Sequence, residues 1–145
     1  MYKKILIPLD NSPTDSVILD HIQPLARLTG ASLVLVHVAD GYVARLQDEL
    51  NLQDSEEIKN DRLYLNRKKA ELVKNGFNVS AYLVGGEPTT EILAIAAKER
   101  CDLIAMSTHG HKLIKDAILG SVAEAIRHRT NIPVLMIRAA KEQEK

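Results

Sequence analysis

The stretch CDLIAMSTHGHKLIKDAILGSVAEAIRH, residues 101–128, decides the fold. Its residues 102–106 form a short apolar run without alternation, which indicates a strand covered on both faces of a parallel sheet. Residues 107–112 then predict a loop at the carboxyl end of that strand. Ser121 and Glu124 have the spacing of a capping box, so we expect a helix to begin at Ser121 with its free N–H groups toward the loop. Such a helix start, beside Gly120, favours an anion such as phosphate.

The rest of the chain repeats this alternation of buried strands and amphipathic helices. Further strands are predicted at residues 3–9, 32–38, 77–84 and 134–138. Helices are predicted over residues 13–29 and 55–74 and from Pro88 onward, because apolar residues recur there at helical spacing between capping and terminating residues. The pattern is looser over residues 40–52, where breaks at 41–42 and 53–55 predict a short helical piece between them.

Together these elements predict one α/β domain over residues 1–145. We expect a doubly wound, Rossmann-like, five-stranded parallel sheet with strand order 3-2-1-4-5 and helices on both faces. In such sheets a ligand binds outside the carboxyl ends of the strands, at the point where the strand order reverses. That point lies between strands one and four, whose ends carry Asp10 and the 107–112 loop.

Composition argues against several classes of function. The 145 residues carry 19 basic and 19 acidic side chains, so no excess of charge points to nucleic acid. The N-terminal stretch has only five apolar or proline residues before Asp10, far fewer than a signal peptide's core or the roughly 20 residues of a membrane span. The single cysteine, Cys101, excludes an intramolecular disulfide, and we expect it to be a buried residue in a reducing compartment. We therefore expect a cytoplasmic protein without a nucleic-acid or membrane partner.

Residues near the expected crevice suit a phosphate group. Gly110 is followed, after nine residues, by Gly120 and Ser121, although a turn and a helix start explain these three residues equally well. His111 and Lys112 tilt the balance, because they offer positive charge to a phosphate. The Ser121 hydroxyl can bind a phosphate or a bound magnesium ion.

The first two strands end in residues with two possible roles. Asp10 could accept a hydrogen bond from a ribose hydroxyl or help to hold a metal, or it could cap the turn into the first helix. His37 is more simply a hydrogen-bonded core residue, while the backbone of Val38 could pair with a base edge.

Four segments together resemble the universal stress protein family: ILIPLDNS (5–12), VLVHV (34–38), MSTHGHKLIKDAILGSVAEAI (106–126) and IPVLMIR (132–138). In the nucleotide-binding branch of that family, the loop carries a glycine, two residues, a second glycine, nine residues, then glycine and serine or threonine. Gly110, Gly120 and Ser121 match the last elements of this pattern. Ser107 stands where the first glycine is expected, and its side chain could narrow the approach to the phosphates.

The resemblance implies ATP, with magnesium or manganese, held between the loop and the helix start, with Pro8, Asp10 and Val38 around the ribose and adenine. Asp10 and Ser121 would contact the metal through the bound nucleotide. The candidate nucleotide-binding residues are Pro8, Leu9, Asp10, Val38, Ser107, Thr108, His109, Gly110, His111, Lys112, Gly120, Ser121 and Val122.

Three functions remain open on these residues. The first is a stress-response protein in which ATP occupancy regulates an interaction. The second is a slow ATPase or another adenine-nucleotide enzyme, although no nucleophile and base converge on the site. The third is a homodimeric stress protein that binds no nucleotide. A homodimer is expected around strand five, because the apolar residues Val134, Leu135, Met136 and Ile137 would otherwise leave an edge strand uncovered.

Overall fold

The structure, a computed structural model, describes residues 1–40, 56–108 and 117–139. Five strands and four helices alternate along these parts of the chain. The strands are β1 (Lys4–Leu9), β2 (Ser32–Asp40), β3 (Val79–Gly86), β4 (Leu103–Thr108) and β5 (Val134–Arg138). The helices are α1 (Thr14–Thr29), α2 (Glu56–Lys74), α3 (Pro88–Glu99) and α4 (Ala117–Arg129).

The five strands form one parallel sheet in the order β3-β2-β1-β4-β5. This confirms the predicted topology, including the reversal of strand order between β1 and β4. Because all strands run in the same direction, their carboxyl ends meet at one edge of the sheet. The register pairs Leu9 with His37 and Ile5 with Leu103, which places the end of β1 between the ends of β2 and β4.

Of the four helices described, two cover each face of the sheet. On one face, Ile7 and Leu35 pack with residues of α1 and α2, and on the other face Leu6 and Ile104 pack with residues of α3 and α4. All four of these side chains are 0% exposed. The continuous apolar runs in the sequence arise because both faces of each central strand are buried.

Helix ends follow the sequence signals in two cases. Helix α1 ends at Gly30, whose φ of 75° is readily available to glycine, as predicted. Helix α3 begins with Pro88, and the preceding Glu87 side chain accepts the N–H groups of Thr89 and Thr90. This carboxylate cap lowers the pKa of Glu87, with the hydrogen bonds from Thr90 as the main cause.

The predicted start of the last helix is wrong. Helix α4 already includes Ala117, so Ser121 lies inside the helix and does not cap it. The capping box does not form, because the helix already runs through residues 117–120 before Ser121; Glu124 pairs with Arg127, three residues further along, at 2.8 Å.

Two strands also differ from their predicted bounds. Strand β4 continues through Thr108, because Ser107 pairs with Ile137 and Thr108 with Arg138, so the loop begins later than expected. Strand β3 begins at Val79 rather than at Phe77, because the N–H of Phe77 donates to the carbonyl of Leu72 at the end of α2. The short helical piece expected between the breaks at 41–42 and 53–55 lies outside the described residues. Of the helices that the structure describes, none is long and apolar enough to cross a membrane.

Candidate functional site

The carboxyl ends of β1 and β4 lie side by side, at the point where the strand order reverses. Asp10 directly follows β1, and Ser107 and Thr108 form the end of β4. Asp10 and Thr108 are half-buried, whereas Ser107 is buried. Parallel α/β sheets bind ligands at such a point, because the connections there leave in opposite directions and open a crevice.

An apolar wall lies beside this crevice on the face of α3 and α4. Val38 is half-buried and packs against the core cluster of that face. Pro8 is buried and alternates in direction with Ile7 and Leu9, so it belongs to the same face as Val38. Leu9 belongs to the opposite face, where its side chain is 3% exposed in the core, which leaves only its backbone near the strand ends. Pro8 and Val38 therefore lie on the same face of two neighbouring strands, next to the strand ends.

Ser107 directs its side chain away from that wall. Its hydroxyl donates to the carbonyl oxygen of Thr14 in the first turn of α1, at 3.0 Å, and the residue is 1% exposed. The backbone of Ser107 is also unstrained, since the non-glycine residues with positive φ in the described chain are Asn11 and Arg100. The backbone at position 107 therefore does not require a glycine, and the serine side chain does not point toward Pro8 and Val38.

The remaining predicted residues fall into two groups. Gly120, Ser121 and Val122 lie inside α4, where the Ser121 side chain is exposed and the Val122 side chain is buried in the core of the α3 and α4 face. His109, Gly110, His111 and Lys112 lie outside the described residues.

The turn between β1 and α1 is held by a buried carboxylate. Asp15, which is 1% exposed, accepts the backbone N–H groups of Asp10 at 3.1 Å and Asn11 at 2.9 Å. The hydroxyl of Tyr64, in α2, also donates to Asp15. Burial is the main cause that raises the pKa of Asp15, to about 6; the Tyr64 hydrogen bond opposes the rise, and the nearby charge of Asp10 adds to it. The same burial, together with the bond to Asp15, raises the pKa of Tyr64.

A second polar chain links β1, β2 and α2. His37 Nδ1 lies 2.8 Å from the carbonyl oxygen of Leu9 and therefore donates to it, and His37 Nε2 lies 3.2 Å from Asp61 Oδ2. The other oxygen of Asp61 accepts the side-chain amide of Asn11 at 3.0 Å. His37 is 7% exposed, so its interpretation as a hydrogen-bonded core residue is confirmed.

Asp10 takes part in the same turn. Its Oδ1 accepts the hydroxyl of Ser12 at 2.6 Å, and that hydroxyl also accepts the N–H of Thr14 at 3.3 Å. Asp10 thus stabilises the turn into the first helix, which is one of the two roles that the sequence left open. Its half-buried carboxylate also lies at the crevice.

The sequence interpretation missed Asp15, Asp61 and Tyr64 as members of this site. One available signal was an acid on the apolar stripe of a helix. Asp15 stands three residues before the buried Ile18, and Asp61 stands three residues after the buried Ile58. A charged residue at such a position is buried and needs partners, which the polar turn provides.

Comparison with known proteins agrees with this fold. A model of the universal stress protein family matches residues 1–138. The chain belongs to the universal stress protein family. The universal stress protein MJ0577 of Methanocaldococcus jannaschii is 34% identical to this universal stress protein over 158 residues, which cover 95% of this chain and 96% of the relative. A solved structure of MJ0577 superposes with a TM-score of 0.79, covering 97% of this chain and 99% of that one.

Two solved structures of the same fold contain a nucleotide. One is a universal stress protein in complex with cAMP, 18% identical, with a TM-score of 0.70 over 96% of this chain and 98% of that one. The other is the universal stress protein from Archaeoglobus fulgidus in complex with dAMP, 23% identical, with a TM-score of 0.69 over 94% of this chain and 98% of that one. At these identities the two structures show the shared fold.

Proposed function

We propose that this universal stress protein binds an adenine nucleotide, namely ATP with magnesium, in the crevice between β1 and β4. The observation that carries the proposal is the position of Asp10 at the reversal of strand order, beside the apolar pair Pro8 and Val38. A carboxylate next to an apolar wall suits a nucleoside, because ribose hydroxyls donate to the carboxylate while the base packs on the wall. The cAMP and dAMP complexes support the proposal, since they show that the fold accommodates adenine nucleotides.

In this proposal the phosphates extend from Asp10 toward β4 and α4. The backbone of Leu9, Ser107 and Thr108, the loop residues His109, Gly110, His111 and Lys112, and the α4 residues Gly120, Ser121 and Val122 complete the site. The positive end of the α4 dipole favours the phosphate charge.

Asp10 and Ser121 fit a magnesium or manganese ion. Their carboxylate and hydroxyl oxygens are the hard ligands that magnesium prefers, with the phosphates supplying the rest. When bound, the ion would neutralise phosphate charge. Asp10 and Ser121 would orient it through the nucleotide.

We further propose that the protein is a single cytoplasmic domain in which nucleotide occupancy regulates an interaction. The buried hydrogen bonds around the β1–α1 turn would carry the effect of a bound nucleotide to α2. A phosphate-release assay separates this role from an ATPase: steady turnover that Asp10→Ala abolishes would contradict it.

Calorimetry with ATP and magnesium tests the binding. We expect saturable binding to the wild type and a loss of about tenfold or more in affinity in Asp10→Ala, since a charge-assisted hydrogen bond to a ribose is removed. Asp20→Ala, which removes an exposed carboxylate of α1, is the matched control and should bind like the wild type. No heat from the wild type at millimolar ATP would refute the proposal, provided that thermal unfolding shows the protein to be folded.

We also propose a homodimer through β5. This strand is an edge of the sheet, and its apolar residues Val134, Leu135, Met136 and Ile137 are half-buried in the single chain. Pairing with a second copy would cover them. Light scattering at micromolar concentration should give twice the mass of one chain, and a monomer would contradict the proposal.

A further inference from the structure

The first turn of α1 contacts both walls of the proposed crevice. Toward β1, the Asp15 carboxylate accepts the backbone N–H groups of Asp10 and Asn11, at 3.1 and 2.9 Å. Toward β4, the carbonyl oxygen of Thr14 accepts the Ser107 hydroxyl at 3.0 Å. Two consecutive helical residues therefore connect the ends of the two strands between which the nucleotide would lie.

These connections are shielded from water. Thr14 is 6% exposed, and Asp15 and Ser107 are each 1% exposed. A polar group that is buried without its partner loses its hydration and gains nothing in return, so breaking either connection is costly. The connections therefore hold the strand ends in one arrangement.

Helix α2 also contacts this turn. The Tyr64 hydroxyl donates to Asp15, and the Asp61 carboxylate accepts the side-chain amide of Asn11 at 3.0 Å. Asn11 has a φ of 62°, a conformation uncommon for residues other than glycine, which these partners help to hold. Helix α2 thus helps to fix the position of Asp10.

We propose that Asp15 and Ser107 are positioning residues that hold the β1 and β4 walls at the separation a nucleotide spans. The proposal rests on the proposed nucleotide site. A ligand that contacts both walls gains from a fixed separation, because its second contact costs no further ordering of the protein. A ligand that contacts one wall gains nothing from it. The two residues therefore favour ATP over its separate parts.

Two variants loosen one connection each. Ser107→Ala removes the hydroxyl that reaches Thr14, and Tyr64→Phe removes the donor to Asp15 while it keeps the aromatic ring. NMR titrations with ATP, with adenosine and with inorganic triphosphate measure the affinity for the whole ligand and for its parts. We expect each variant to lower the affinity for ATP about five- to tenfold, because this fold-change corresponds to the energy of one buried hydrogen bond. The affinities for adenosine and for inorganic triphosphate should change by less than about twofold.

Ser16→Ala is the matched control. Its hydroxyl also donates to a backbone carbonyl at 3.0 Å, but the acceptor is Pro13, three residues earlier on the same helix start, so no wall is connected. This variant should leave all three affinities unchanged.

Two results would overturn the inference. One is a loss in Ser107→Ala and Tyr64→Phe that is equal for ATP, adenosine and inorganic triphosphate. The other is an unchanged affinity for ATP in both variants.

If the wild type binds none of these ligands, the proposed function fails by itself, and amide exchange in the nucleotide-free protein tests the positioning. Faster exchange of the Asp10 and Asn11 N–H groups in Tyr64→Phe, with the amides of β2 unchanged, supports it. Unaltered exchange at these two residues refutes it.

Discussion

Asp15 should make the stability of the protein depend on pH in a direction opposite to that of most carboxylates. The residue is 1% exposed, and burial raises its pKa from 3.8 to about 6. Between these two values the folded protein holds a proton that the unfolded chain has released. Stability from this residue is therefore fully present below about pH 4 and is lost as the pH rises through about 6.

The size of the effect follows from the two pKa values. A shift of about two units, at about 1.4 kcal/mol per unit, amounts to about 3 kcal/mol. Most of it, about 2 kcal/mol, falls between about pH 4.5 and pH 7.5. Asp15→Asn removes the titratable group and keeps a side chain of nearly the same shape. The free energy of unfolding of this variant should therefore lack the pH-dependent contribution of Asp15.

Urea unfolding followed by circular dichroism measures the prediction. The free energy of unfolding of the wild type minus that of Asp15→Asn should fall by about 2 kcal/mol from about pH 4.5 to pH 7.5. Asp20→Asn, an exposed acid on the same helix, is the control, and its difference from the wild type should stay within about 0.5 kcal/mol at both pH values. A difference between wild type and Asp15→Asn that is the same at both pH values would show that Asp15 titrates normally and would refute the reasoning.

Three further predictions concern stability and use the same unfolding assay. Ile104→Ala should cost about 2–5 kcal/mol, because the side chain is 0% exposed, whereas Leu28→Ala, at a site 85% exposed, should cost less than about 0.5 kcal/mol; equal costs would contradict the assigned core. Glu87→Ala should lower the free energy of unfolding by about 1 kcal/mol through the loss of the α3 cap, and Glu87→Gln, which keeps an acceptor oxygen, should lower it much less. Equal stability of Glu87→Ala and the wild type would show that the cap contributes nothing. Gly30→Ala should cost about 1 kcal/mol from its φ of 75° alone, since no atom beyond Gly30 and its two chain neighbours lies within 4 Å of the added carbon. A variant more stable than the wild type would contradict the positive φ at this position.

Much of the fold followed from local patterns. The uninterrupted apolar runs at β1, β2 and β4 predicted strands buried on both faces, and the alternation with helices predicted a doubly wound parallel sheet. The alternation allows more than one strand order, and the expected order 3-2-1-4-5 is confirmed by the structure. Gly30 and Pro88 marked helix ends correctly, because their backbone preferences do not depend on distant residues. The start of α4 was mispredicted, because a serine followed by a glutamate three residues later occurs inside helices as well as at their ends.

The candidate site divides in the same way. The sequence by itself determined that Asp10, Val38 and Ser107 would lie at the ends of neighbouring strands, because parallel strands end at one edge. Only the tertiary structure decided that Ser107 turns its hydroxyl to α1 and that Asp15 is a buried acid supported by α2. Those contacts join residues 93 and 49 positions apart, and a periodic pattern in the sequence carries no information about partners at such separations.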